Sequence, residues 1–412
     1  MTSVGVIGGG VIGLSAAVRL AQAGHGVTVF EPDAGRQAAS WGNAGHIATE
    51  QIAPLASPAT LRSAPRRLFA CGGPLDLPPS AIGTWAPFAR EFVVACRPGA
   101  FRRGEAALEG LLTSALQDWR DLTADIGAPD LLRDNGHIVA WDTPDSARRG
   151  RQGWAEANTG SATADDVSAA DLARLTALTP TPIHGAIRFS NSGQIADLSR
   201  LATALEQALV AAGGGIVRAA ASLRIVDGRA MIDGADCEQV LVAAGVRSGA
   251  LMAAVGHRVP LIAERGYHVR ADLDPDQAHR WPVNLPPVVF EDRAVILTRY
   301  DTEIQAAGFV EFNRPDAPPD LRKWARLERH VAELGLPVAG PLRRWMGSRP
   351  TLPDYLPAIG RSNRIANLTY AFGHQHLGLT LAAVTARLVI EMIDGAEPFV
   401  ALAPFSLDRF SR

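Results

Sequence analysis

Only three cysteines occur in 412 residues, Cys71, Cys96 and Cys237. They are odd in number, far apart and without ligand-type spacing, which excludes a disulfide framework and a cysteine-based zinc site. Lysine is scarcer still, since Lys323 stands alone and arginine supplies the remaining positive charge. That bias carries no functional inference by itself. No long basic block occurs and the formal net charge is −2, so nucleic acid is excluded as an expected partner. No uninterrupted apolar run is long enough to span a bilayer, and the apolar N-terminus lacks the basic leader of a secretory signal. The expectation is a chain that starts near Met1 and works in the cytoplasm, with attachment at the inner face of the cell membrane as an alternative. Disorder is excluded by composition: 47% of residues are hydrophobic and 20% charged, with 40 Gly and 28 Pro, as in a globular protein with many turns. The length calls for two domains, or one with a substantial insertion.

What is present begins at the N-terminus. Val4-Gly5-Val6-Ile7 reads as a buried strand, Gly8-Gly9-Gly10-Val11-Ile12-Gly13 as a turn, and Val11, Leu14, Val18 and Ala21 recur at helical spacing. In such a unit Gly8 permits the tight turn, Gly10 lets backbone approach a diphosphate, and Gly13 lets helix pack on strand. The amides of Val11 and Ile12 open the helix, whose positive end suits phosphate. A second strand, Val27-Thr28-Val29-Phe30, ends in Glu31, placed to accept hydrogen bonds from a ribose. Dinucleotide binding follows from strand, turn, helix and terminal acid together.

Ala39 to His46 is a small-residue segment that either runs against a ligand or is a surface loop. Trp85, Phe88 and Phe92 mark an amphipathic helix, read as packed, with a membrane-surface face as the alternative. Leu108 to Ile126 reads as a long helix and Gly136 to Trp141 as a strand. Leu198 to Ala212 reads as a helix before a strand at Ile216-Val217, and Val240 to Gly245 is an apolar strand ending in small residues. From Val259 to about Leu342 the pattern becomes short alternating strands of an antiparallel sheet. Leu368 to Phe372 reads as a strand, Gly373 to Gly378 as a turn, and Leu381, Val384, Leu388 and Met392 as a helix closed by Gly395. The expected fold class is α/β, α+β overall: a Rossmann-like nucleotide domain (1–60, 190–258 and 344–412) interleaved with an antiparallel-sheet domain (61–189 and 259–343).

The N-terminal fingerprint, the Ser40 to Gly45 segment, the Ala243-Ala244-Gly245 strand end and the Gly-His-Gln-His-Leu-Gly turn at 373–378 together resemble the D-amino acid oxidase superfamily of flavoproteins, over nearly the whole chain. Trp345 to Asp354, followed by Pro357-Ala358-Ile359-Gly360, is most similar to the bacterial D-amino acid dehydrogenase branch, which includes D-hydroxyproline dehydrogenase-like proteins. The resemblance implies FAD, with Gly8, Gly10, Val11, Ile12, Gly13, Glu31, Ser40, Asn43, Ala44, Gly45, Ala243, Gly245, Gly347, His376, Leu377, Gly378, Leu379 and Thr380 as cofactor contacts. The positive end of a helix beginning near Gly378 to Thr380 would face the flavin where charge gathers. Gly347 stands where a sarcosine oxidase-like branch tethers flavin through cysteine, so noncovalent FAD is expected. Ala244 departs from the family's usual Ala-Thr-Gly at a position expected to make backbone contact only.

Arg349 matches the family's carboxylate-binding arginine; the alternative is an arginine paired to Asp354 or to a carbonyl. Tyr267 is a substrate-side candidate or a core tyrosine. His374 and His376 contact flavin or substrate, or are structural histidines, and His46 reaches the flavin's reactive face; Tyr300 and Glu311 rank below them. No metal is expected, since no third ligand accompanies the histidine pair. The implied partners are an amino or imino acid substrate and an electron acceptor, a quinone or other carrier. The alternatives are an oxygen-using oxidase, a catalytic subunit of an amine dehydrogenase complex, and a redox-inert nucleotide-binding partner protein. Oligomeric state and peripheral membrane contact are left open.

Overall fold

The computed structural model describes residues 1–411. Its first layer is a six-stranded sheet. Strand Ser3–Ile7 lies at the centre, flanked by Gly26–Phe30 and then Gly215–Val217 on one side, and by Gln239–Val242, Leu368–Phe372 and Ala358–Arg361 on the other. Every neighbouring pair is parallel except the last, which is antiparallel. A parallel sheet must be covered on both faces. Helices Val11–Gln22, Leu198–Ala211 and Ala382–Asp394 bury Leu14, Leu205 and Leu388 on one face. On the other, Val240, Tyr370 and Phe372 pack with Ala230, Ile232 and Met252. The strand order reverses around Ser3–Ile7, so the turn after it opens at the carboxyl ends of the strands, where such sheets bind ligands.

The second sheet has nine strands. Ile262–Leu273, Glu303–Asn313 and Val338–Thr351 dominate it and pair antiparallel. The expected antiparallel pattern is broken twice, because Val288–Phe290 runs parallel to His137–Trp141 and Leu75–Asp76 runs parallel to Glu303–Asn313. Strand Val338–Thr351 continues without a break through residues 343 and 344, where the sequence reading divides two domains. A third sheet joins His46–Ile47, Gly193–Ile195 and Leu132–Arg133.

Helix Pro98–Asp125 starts ten residues before the expected Leu108. Its first turns carry Arg102, Arg103 and Glu105, which show no apolar period, while Pro98 at the first helical position presets the backbone. The helix that holds Trp85, Phe88 and Phe92 spans Ile82–Ala95. These aromatics pack inward, Phe88 against Phe312 and Phe92 against Tyr355. That removes them as a membrane face, leaving Ile82, Val93 and Val94 exposed. No helix among the described residues is long and apolar enough to cross a membrane.

The sole lysine is fully buried. Lys323 Nζ lies 2.6 Å from Asp76 Oδ2, 2.8 Å from Asp320 Oδ2 and 3.0 Å from Glu311 Oε2. Burial alone would lower its pKa, but the contacts with Asp320, Asp76 and Glu311 outweigh that and raise it. Arg265, equally buried, donates to Glu311 Oε1 at 3.1 Å. This ionic knot ties helix Leu321–Glu333 to the nine-stranded sheet.

Candidate active site

The glycine turn is held by backbone contacts that side chains would break. Gly8 has φ +113°, and a Cβ there would lie 2.5 Å from the Ala243 carbonyl oxygen; a Cβ on Gly13 would lie 1.9 Å from the Gly8 carbonyl oxygen. Gly9, unassigned from sequence, donates its amide to Glu31 Oε2 at 2.7 Å. A Cβ on Gly9 would lie 2.8 Å from that side chain. Glu31 Oε1 takes the Asp33 amide at 2.8 Å, so the carboxylate is fixed at the lip of the turn. Gly10 has no side-chain cap and the first helical turn holds no acid. Ser40 Oγ accepts from the Val11 amide at 3.1 Å. Val11 is buried, and Ile12 packs partly against the helix layer. Ala243 seats Gly8, and Gly245 turns the strand end with φ +55°. These features fit a diphosphate and its ribose.

Residues 42–45 are a pinned segment and not a free surface loop. Three successive carbonyls are captured by side chains of the nine-stranded sheet and its turns. Gly42 O accepts from His268 Nδ1 at 3.0 Å. Asn43 O accepts from the Tyr300 hydroxyl at 2.8 Å and Gln305 Nε2 at 2.9 Å, and Ala44 O from Thr298 Oγ1 at 2.7 Å. Gly45 has φ +76°, and a Cβ would meet the Tyr300 ring at 3.0 Å. Tyr300, a weak candidate from sequence, thus anchors the segment, while Gln305, Thr298 and His268 were not legible. Ala48 donates its amide to Thr380 Oγ1 at 3.0 Å, so the segment also meets the C-terminal turn.

In that turn Gln375–Leu377 is a single 3-10 turn and the regular helix starts at Ala382, later than expected. Leu381 already donates to the Leu377 carbonyl, so helical bonding reaches back across Gly378, Leu379 and Thr380. Leu377 and Leu379 are buried in the helix layer, and Leu379 O accepts from Trp119 Nε1; side-chain contact with a cofactor is not what they offer. His374 Nε2 shares a hydrogen bond with Thr385 Oγ1 at 3.1 Å, and burial pushes its pKa down to about 3. It is a structural histidine.

Arg349 extends from strand Val338–Thr351 opposite Glu264. Its Nη1 lies 3.3 Å from Glu264 Oε1, and its side chain is 26% exposed against 1% for Glu264. Glu264 Oε2 also accepts from Thr351 Oγ1 at 2.9 Å and the Tyr355 hydroxyl at 3.0 Å. Asp354, the alternative partner, is engaged by Arg409 at 2.7 Å. A Cβ on Gly266 would meet the Arg349 guanidinium at 2.4 Å, so that glycine makes room for the arginine. His376 is the histidine that faces this pair. Burial lowers its pKa to about 4; Glu264 raises it and Arg349 lowers it, and its Nδ1 has no hydrogen-bond partner. Gly347 is filled on its open side by Trp345, whose ring a Cβ would meet at 2.0 Å. Trp345 in turn stacks on His268.

Tyr267 is on the wrong face. Glu264, Gly266 and His268 alternate toward Arg349 and Trp345, whereas Tyr267 points to the ionic knot, donating to Glu311 Oε2 at 2.6 Å and packing edge-on against Trp324. Burial and Glu311 raise its pKa, and it is a core tyrosine. Glu311 belongs to that knot as well.

His46 stands near His376, which together with burial lowers its pKa to about 3. Its ring centroid lies 4.3 Å from that of His137. Glu50, also buried, has a pKa pushed up to about 8 by burial. His46, Glu50 and His137 form a cluster of metal-ligating side chains, one donor atom of each lying within 4.8 Å of the others. Sequence spacing gave no sign of it, because His137 arrives on a different sheet. A separate cleft of about 760 Å³ lined by Arg90, Arg103 and Asp354 touches none of the residues expected in the site.

Comparison with known proteins bears on the family and the fold. The chain is 31% identical to a D-amino-acid oxidase of Bradyrhizobium diazoefficiens, over 99% of this chain and 98% of that protein. It is 30% identical to D-amino acid dehydrogenase 2 of Pseudomonas aeruginosa, over 96% and 95% of the two chains. Among solved structures, glycine oxidase from Geobacillus kaustophilus superposes with a TM-score of 0.71 at 20% identity, covering 99% of this chain and 98% of that one. L-proline dehydrogenase from P. horikoshii gives 0.72 at 15%, covering 100% and 98%. These likenesses fix the fold. The family model for FAD dependent oxidoreductases matches residues 3–392, and with the glycine turn and Glu31 in place the chain belongs to that family.

Proposed function

We propose that the protein oxidises a D-amino acid or a cyclic imino acid such as D-hydroxyproline. The observation that carries this is Arg349, a partly exposed guanidinium steadied by buried Glu264 beside His376. Bound FAD supplies a two-electron acceptor for the hydride lost from the substrate α-carbon. In this reading the turn at 8–13 with Glu31 holds the dinucleotide end, and the segments 40–45 and 375–380 hold the flavin end without a covalent bond. The first, third and last portions of the chain serve the cofactor, and strand Val338–Thr351 is shared with the substrate sheet.

Arg349 grips the substrate carboxylate through two parallel hydrogen bonds, which fixes the α-hydrogen in place. Glu264 holds the guanidinium in plane. His376, whose pKa burial lowers to about 4, is neutral at physiological pH, so it offers a lone pair or an N–H group to the amine without repelling it. An amine that arrives neutral drives hydride departure with its own lone pair, and water hydrolyses the resulting imine. Electrons then leave for a quinone or other carrier. The Bradyrhizobium relative's name favours a second reading in which oxygen takes them.

Anaerobic mixing with a panel of D-amino acids and D-hydroxyproline should bleach the flavin, and an artificial quinone should reoxidise it faster than oxygen. Stoichiometric hydrogen peroxide with oxygen as the faster acceptor would make the protein an oxidase; no bleaching by any member would remove the substrate reading. Arg349→Lys keeps the charge but not the fork. Losing one charge-assisted contact costs about 1.5–3 kcal/mol, or roughly one to two powers of ten in kcat/KM. Unchanged kinetics in a flavin-loaded variant would contradict the carboxylate assignment.

A further inference from the structure

We propose that His46, Glu50 and His137 bind one divalent transition-metal ion of the zinc class, which staples the cofactor-side segment to the substrate sheet. The inference is independent of amino acid oxidation, since it requires neither Arg349 nor substrate.

The three residues converge from separate elements. His46 opens the short strand His46–Ile47, Glu50 follows one turn later, and His137 opens strand His137–Trp141 of the nine-stranded sheet. His46 Nε2 lies 3.9 Å from Glu50 Oε2, and His137 Nε2 lies 3.8 Å from Glu50 Oε1. Two donors on a tetrahedral zinc ion, with bonds of about 2.0–2.1 Å, stand about 3.4 Å apart. The three donor atoms lie within 4.8 Å of one another, so ion binding draws the side chains together by up to about 1.4 Å. All three side chains are more than nine-tenths buried. His46 Nε2 and Glu50 Oε2 lack hydrogen-bond partners, although buried polar atoms are normally satisfied. Among the described residues no lysine or arginine pairs with Glu50; its ionic neighbours are His46 and His137.

The surrounding shell fixes the ligands as metal sites require. His137 Nδ1 shares a hydrogen bond with Ser192 Oγ at 3.0 Å, which leaves Nε2 free to coordinate when Nδ1 carries the proton. Its ring stacks on Phe189, with centroids 4.4 Å apart and planes 7° apart. Two imidazoles and one carboxylate suit zinc and leave a fourth position for water or a ligand.

The test uses the purified full-length protein, dialysed against a chelator and then titrated with zinc chloride while flavin content and thermal unfolding are monitored. One zinc per chain is expected. Glu50→Gln and His137→Phe should each abolish stoichiometric binding, and Ser192→Ala should weaken it roughly 10- to 100-fold. His25→Asn, a surface histidine paired with Asp394, should leave it unchanged. Anomalous diffraction at the zinc edge from wild-type crystals decides the matter even if a variant fails to fold: a peak within bonding distance of the three side chains supports the site. Substoichiometric zinc at saturation, a peak elsewhere, or unchanged binding by folded Glu50→Gln would overturn it.

Discussion

Gly13→Ala is expected to yield a colourless protein, whereas the wild type should be yellow and release its chromophore to the supernatant on acid denaturation. The added Cβ would sit 1.9 Å from the carbonyl oxygen of Gly8, and neither atom can retreat. The carbonyl belongs to a turn whose own Cβ position is closed by Ala243 at 2.5 Å. The helix behind Gly13 is locked by Leu14, Val18 and Leu20, all buried. Relief requires the helix to lift from the strand, which moves its N-terminus away from the proposed diphosphate site. Overpacking costs about 1–3 kcal/mol, equivalent to roughly 5- to 150-fold in FAD affinity when it falls on the bound state. The measurement is flavin content after gel filtration, with FAD titration by fluorescence quenching. Wild-type affinity in a folded Gly13→Ala protein would mean that the diphosphate binds elsewhere.

The second large effect is on stability. Lys323→Met should destabilise the protein by about 3–5 kcal/mol, because removing one partner of a buried ion pair leaves the others uncompensated. Here the others are Asp76, Glu311 and Asp320; Arg265 still offsets Glu311 and the exposed Arg322 still pairs with Asp320, so Asp76 loses its ion-pair partner. Methionine matches the stem in volume, so the loss reports charge more than packing. Adding Asp76→Asn should recover part of it, since the two sites share one contact and are not additive. Denaturant unfolding of the two single variants and the double variant measures the coupling. If the double variant loses the sum of the two single losses, Lys323 and Asp76 are not coupled.

The nucleotide turn was legible because its constraints are local: Gly8 to Glu31 forms one strand, turn, helix and strand, and each glycine answers to a contact within that unit or beside it. Arg349 was identifiable by motif, but its partner was not. Glu264 reaches it through strand register, which leaves no trace in either segment. Tyr267 shows the limit of alternation. A period of two says that neighbours face opposite ways without saying which way holds the ligand, and the side that holds Arg349 carries Glu264, Gly266 and His268. The stripe of Trp85, Phe88 and Phe92 was a true apolar face, yet Phe312 and Tyr355 cover it from distant parts of the chain. His137 joins His46 and Glu50 only because the substrate sheet closes over the segment after Gly45.

The parallel sheet also sets a schedule for the protein's birth. Strand Ser3–Ile7 is made long before its neighbour Gln239–Val242, and the parallel sheet is completed by Leu368–Phe372. At synthesis rates of about 5–20 residues per second, the interval between the glycine turn and that last parallel strand is roughly 20–70 s. Through that time the nascent chain carries an apolar strand and a phosphate-binding turn without the sheet that shapes them. The parallel sheet that shapes the turn therefore exists only after Leu368–Phe372 has been made.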